Sequence, residues 1–209
     1  SVGIPFFLEV ADQITEKNKN IRLIIPVAPT TNKTEFLFFQ SSKNPIAASY
    51  DSKIKKIEDL KNSIFDNMIE TTKNTKIYLI NKHPCYDILK NCDLAITTVG
   101  ANTAELASVA VPMIVVLPTQ HLDVMNAWDG LFGIIGKNPY INKLITLIIK
   151  YWHLKTKKFF SWPNIKAKKL IVPERIGNIF PKQIAEEAIS LINHSENLLK
   201  IKDDLSKQR

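Results

Sequence analysis

The stretch from Cys92 to Val116, C-D-L-A-I-T-T-V-G-A-N-T-A-E-L-A-S-V-A-V-P-M-I-V-V, constrains the fold more than any other part of the chain. A short apolar strand, Leu94 to Thr97, breaks at Gly100, and a turn of small residues follows at Ala101, Asn102 and Thr103. An apolar helix then carries Glu105 in its first turn, and a second apolar strand starts at Pro112. Continuous apolar strands separated by a helix belong to parallel sheets, whose two faces are both covered. The start of such a helix presents unpaired N–H groups and a partial positive charge. In open α/β sheets that point lies at the carboxyl ends of the strands, where nucleotide phosphates bind. Thr98, Gly100, Asn102 and Thr103 are therefore candidate phosphate contacts, and Glu105 is placed to accept hydrogen bonds from a ribose diol. Taken singly, Gly100 also reads as a plain turn glycine and Glu105 as an acid that stabilises a helix start.

The rest of the chain alternates in the same way. Pro5 to Lys17 reads as a helix with Phe6, Phe7, Val10, Ala11 and Ile14 inward and Glu9, Asp12 and Glu16 on the opposite face. Ile21 to Val27 reads as a buried strand, and Thr30 to Tyr50 as a loop or loose helix. Helical spacing extends over Asp51 to Met68, with a strand at Lys76 to Ile80 and a short helix at Tyr86 to Asn91. A strand at Met113 to Leu117 precedes a long excursion, Pro118 to Pro139, and a helix to about Tyr151. Pro181 opens a helix with Ile184, Ala188, Leu191 and Ile192 inward. The expected fold is α/β, a Rossmann-like parallel sheet with helices on both faces. Residues 1–195 form one domain, with 118–163 as an apolar and basic excursion, and 196–209 form a polar helical tail. A doubly wound domain normally opens on a strand, so a strand and its turn are expected upstream of Ser1.

Charge is concentrated. No acidic residue lies between Asp129 and Glu174, where Lys137, Lys143, Lys150, Lys155, Lys157, Lys158, Lys166, Lys168 and Lys169 all fall. The formal net charge is +8, so the remainder of the chain is close to neutral. With Tyr151, Trp152, Phe159, Phe160 and Trp162 interleaved, the segment from Leu131 to Pro173 suits an anionic membrane surface. Nucleic acid and a simple solvated basic loop are the alternatives. Cys85 and Cys92 match no metal spacing and read as packing residues of a reduced, cytoplasmic chain. No apolar run reaches the roughly 18–20 residues that cross a bilayer.

At this point the motifs can be matched to a family. D-L-A-I-T-T-V-G-A-N-T-A-E-L-A-S-V-A-V-P-M-I-V-V resembles the donor-binding loop of nucleotide-sugar glycosyltransferases with two facing Rossmann-like domains. More narrowly it resembles lipid-A-disaccharide synthases, in which a glycine turn lies five residues before a glutamate, as Gly100 does before Glu105. W-P-N-I-K-A-K-K-L-I-V-P-E-R resembles a second motif of that family over Pro163 to Glu174, and F-L-E-V-A-D-Q-I followed by I-R-L-I-I-P-V-A resembles its helix and strand just after the first phosphate loop. Where the family carries Ser-Gly-Thr, this chain has Val99-Gly100-Ala101, so two hydroxyls near the phosphates are missing; Thr98, Asn102 and Thr103 stand ready to replace them.

The resemblance covers the carboxyl-terminal, donor-binding half of such an enzyme. It implies a hexosyltransferase that takes a UDP-sugar as donor, with a lipid-linked sugar as one acceptor class. It also implies a peripheral position on the inner face of a membrane and an amino-terminal domain of the same protein as partner. Asn164 would contact donor or sugar in the cleft between domains, although an Asn after Pro is otherwise a turn residue. No cofactor is expected and no metal, since the sequence has no Asp-x-Asp cluster and the nearest approach to one, Asp203-Asp204, lies in the tail. The base would come from the other half, with His121 as a weak candidate here. The alternative is a non-catalytic nucleotide- or anionic-lipid-binding α/β module. The family's Gly-Ser-Arg phosphate loop would lie before Ser1, so these 209 residues alone are expected to transfer no sugar. A radiolabelled nucleotide-sugar assay against an upstream-extended chain checks this, and turnover by the 209 residues alone would place the base in this half.

Overall fold

The computed structural model describes residues 3–29, 31, 33–39, 41, 44, 46–61, 63–121 and 159–208. The protein is α/β and divides into two compact units, Ser1–Cys85 with Pro181–Ile189, and Tyr86–Phe180 with Ser190–Arg209. The expected helix toward Tyr151 and most of the 118–163 excursion fall outside the described residues. Among the described residues no helix is long and apolar enough to cross a membrane.

The first unit opens with α1, Ile4–Lys17, which has Pro5 in its first turn, where a missing N–H costs nothing. β1, Leu23–Pro26, and the short α2, Lys33–Phe39, follow. Next come β2, Ile54–Asp59, β3, Asn67–Thr71, and β4, Lys76–Ile80. The sheet runs in the order β1-β4-β3-β2. β1 is parallel to β4, and β4, β3 and β2 are antiparallel. The expectation of a wholly parallel sheet thus fails here, and the helix expected over Asp51 to Met68 is instead a β2–β3 hairpin.

The hairpin imitates a helix in sequence because β2 carries a bulge. Ile54 pairs with Thr71 and Lys56 already with Glu70, so one extra residue is inserted. The insertion puts Ile54 and Ile57, three residues apart, against the same core of Leu8, Ala11, Val27, Phe36, Ile69, Ile77 and Leu79. It also turns Lys55 and Lys56 to one side, where both reach Glu70, at 2.8 and 3.1 Å. Apolar residues at that spacing are the signature of a helix only where the backbone is regular.

α1 is held by its acids as well as its apolar residues. Glu9 and Asp12, expected to face outward, are buried, and only Glu16 of the three is exposed. The Oε2 of Glu9 accepts from the N–H of Asp51 at 3.1 Å, the N–H of Ser52 at 2.9 Å and the Ser52 hydroxyl at 2.9 Å. Its Oε1 takes Lys73 Nζ at 3.0 Å and Gln13 at 3.3 Å. Burial by itself raises the pKa of Glu9. The bonds from Lys73, from the Ser52 backbone and hydroxyl and from Gln13 together outweigh it and hold the carboxyl at about 2. Burial and the neighbouring Glu9 charge push the Tyr50 phenol up to about 12. Asp12 accepts from the Thr71 hydroxyl at 2.6 Å and so fastens the same helix to β3.

The second unit holds α3, Tyr86–Leu89, β5, Ala95–Thr98, α4, Ala101–Ser108, and β6, Met113–Pro118. After the excursion come α5, Trp162–Ala167, and β7, Glu174–Gly177. α6, Pro181–Asn193, is divided between the units, and α7, Ser195–Ser206, ends the chain. This sheet is wholly parallel, in the order β5-β6-β7. Its central strand β6 is buried along its whole length, as the apolar run Met113 to Leu117 requires. Leu106, Val111, Met113, Val115, Val172 and Leu205 form its core, so the tail helix contributes a buried leucine.

Replacing Glu9 with Ala is expected to destabilise the protein by about 2–4 kcal/mol, because the Asp51 and Ser52 amides lose their acceptor. The folded pKa of Glu9 lies below its ordinary 4.5, so its contribution is complete above about pH 4.5 and disappears as the pH falls toward about 2. Denaturant midpoints followed from neutral to acid pH should show that loss in the native protein, with its Glu9 share missing in Glu9→Gln.

Candidate nucleotide-binding turn

β5 and β6 run parallel, Ala95 against Met113 through Thr98 against Val116. The chain leaves β5 at Thr98 and turns into α4 at Gly100, so the turn lies at the carboxyl end of a parallel sheet, as the sequence requires. Gly100 has φ 146° and ψ −164°, a conformation that side-chain-bearing residues avoid. A Cβ there would meet no atom within 4 Å, so the demand for glycine comes from the backbone and not from crowding. Gly100, Ala101 and Asn102 are exposed, and the amides of Ala101 and Asn102 precede the helix's own hydrogen bonds.

Thr103 behaves differently from its expected role. Only 1% exposed, it donates its hydroxyl to the Gly100 carbonyl at 2.8 Å and accepts from the Trp162 N–H at 3.0 Å. Both capacities are used inside the unit, so Thr103 shapes the turn and anchors α5 to it. Thr98 is half-buried at the end of β5. Glu105 is half-buried, and Tyr86 donates to its Oε1 at 3.1 Å. Among the described residues none donates to its Oε2. Thr98, Gly100, Asn102 and Glu105 thus share one turn and its first helical residues.

Asn164 does not join them. It is fully buried, and its amide spans the segment before β7. Its Oδ1 accepts from Ile171 N at 2.7 Å and Val172 N at 3.0 Å, while its Nδ2 donates to Val172 O and Glu174 Oε1, both at 2.8 Å. An amide has two donors and room for two acceptances, so nothing remains for a ligand. The expected contact in a cleft is replaced by a clamp within the unit.

Glu174, which the sequence marks only as the end of a motif, completes that clamp. Its carboxylate accepts from Ser161 N at 2.8 Å, from the Ser161 hydroxyl at 2.6 Å and from Phe160 N at 3.1 and 3.2 Å. A carboxylate from β7 therefore holds the two amides that lead into α5. The two ends of the motif from Pro163 to Glu174 are bound to each other, and the intervening spacing sets the length of that bridge.

His121 ends a short 3-10 turn, Thr119–His121, beyond β6. Its neighbour Gln120, which nothing in the sequence distinguishes, receives Ile179 N at 3.2 Å and donates to Ile179 O at 2.5 Å, tying the exits of β6 and β7 together. Among the described residues no group of His, Cys, Asp and Glu is placed to hold a metal ion. No protein-family model, curated protein or solved structure matches the chain.

Two substitutions separate structure from binding. Asn164→Ala leaves two buried amides and a carbonyl without their partner and should cost about 2–4 kcal/mol in urea unfolding. Gly100→Ala should cost about 1–3 kcal/mol from backbone conformation alone.

Proposed function

We propose that the second unit binds a nucleoside diphosphate sugar, as the donor-binding half of a glycosyltransferase. The observation that carries this reading is the turn from Thr98 to Glu105. A parallel strand ends in a glycine with a conformation reserved for glycine, and the exposed first amides of an eight-residue helix follow. The diphosphate takes the amides of Ala101 and Asn102, with the Asn102 side chain and the Thr98 hydroxyl beside them. These neutral donors stabilise the charge that builds on a leaving diphosphate without any cation. Glu105, steadied by Tyr86, accepts from the ribose diol through its second oxygen. A Rossmann-like donor domain and UDP as the nucleotide follow from the family resemblance. The acceptor and the base then come from a second domain, and the setting is cytoplasmic.

The division of labour between the two motifs supports the same reading. Thr103 is bonded to the Trp162 N–H and Asn164 to Glu174, so these polar groups are engaged in holding the turn and α5 within the unit. The donor contacts are left to the exposed residues.

Titration calorimetry with UDP tests the proposal. UDP should bind, and Glu105→Gln should weaken it by roughly 1–3 kcal/mol, the loss of a charge-assisted hydrogen bond. Absence of UDP binding to the folded protein would remove the donor reading. Equal affinities would remove Glu105 from the site.

A further inference from the structure

We infer that α5 and the turn after it form a docking face for an anionic lipid bilayer, independently of nucleotide binding. One side of α5 is committed inward, with Pro163 and Asn164 buried. The other side carries Trp162, 53% exposed, and Ile165, 48% exposed, three residues apart and therefore neighbours on the helix surface. Lys168, with a left-handed backbone at φ 55°, ends the helix, and Leu170 follows, 64% exposed. Three large apolar side chains left in water within nine residues are unusual on a surface with no partner.

Lysines surround them. Lys166, Lys168 and Lys169 are all exposed. Lys166 donates to the Gln208 carbonyl, a neutral partner, and Lys168 has no partner among the described residues. Lys169 meets Asp204 at 3.4 Å, and Lys207 pairs with Asp203 on the adjoining helix. Both are exposed pairs of the kind that contribute little. The face is thus cationic, and in the sequence no acid occurs from Gly130 through Pro173.

The combination selects the occupant. A tryptophan seats at the level of lipid headgroups, aliphatic side chains enter the acyl boundary, and lysines meet lipid phosphates at about 1 kcal/mol each. Single-stranded nucleic acid would use the indole and the lysines but gives Ile165 and Leu170 nothing to pack on.

Sedimentation with vesicles tests it. The protein should bind vesicles of phosphatidylcholine mixed with phosphatidylglycerol, bind pure phosphatidylcholine far less, and release in high salt. Replacing Trp162, Ile165 and Leu170 together with Ser should lower binding by on the order of tenfold or more, and so should Lys166→Gln with Lys168→Gln. All five side chains are exposed, so unchanged denaturant midpoints should accompany both losses. Unchanged vesicle binding by the Ser variant would overturn the inference, as would binding of single-stranded DNA without binding of vesicles.

Discussion

A carboxylate drawn inside a protein must be given donors or it destabilises what surrounds it. Glu174 is given the amides of Phe160 and Ser161, the Ser161 hydroxyl and the Asn164 amide. Through those bonds the first residue of β7 holds the start of α5. α5 in turn gives the Trp162 N–H to Thr103 in the first turn of α4. The exposed glycine turn is therefore positioned by a polar chain that begins one strand past its parallel neighbour.

The first unit uses the same device with different parts. Glu9 takes donors from the loop before β2 and from Lys73 beyond β3, so a helical acid organises the ends of an antiparallel hairpin. In both units the apolar core supplies most of the driving force, being non-directional. The hydrogen-bonded acids, Glu9 buried and Glu174 half-buried, supply direction.

Most elements of regular geometry were legible in the residues. β4 and β6 match their expected spans closely, as do α1 and the start of α6 at Pro181, because continuous apolar runs and helical periodicity are local signals. β2 and β3 were not legible. A single inserted residue at Lys55 converts alternation into a three-residue spacing, and that spacing in sequence is what a helix produces. The fates of Glu9 and Asp12 were hidden for a related reason. On a helical wheel they lie on the polar face, and only the arrival of Ser52, Lys73 and Thr71 from distant positions makes that face an interior.

The sequence by itself determined the strand, the glycine turn and the helix from Leu94 to Ser108, because each is specified by neighbours a few residues away. It also determined that basic charge is concentrated before Glu174 and that Gly100 would stand where the chain reverses. Tertiary structure alone decided which polar side chains are available. Thr103, Asn164 and Glu105 are all short-range candidates in sequence, yet Thr103 and Asn164 are consumed by Trp162, Ile171, Val172 and Glu174, while Glu105 is engaged by Tyr86 at one oxygen alone among the described residues. A hydrogen bond is a property of two groups in space, and residues separated by 59 positions, as Thr103 and Trp162 are, carry no mark of each other until the chain is folded.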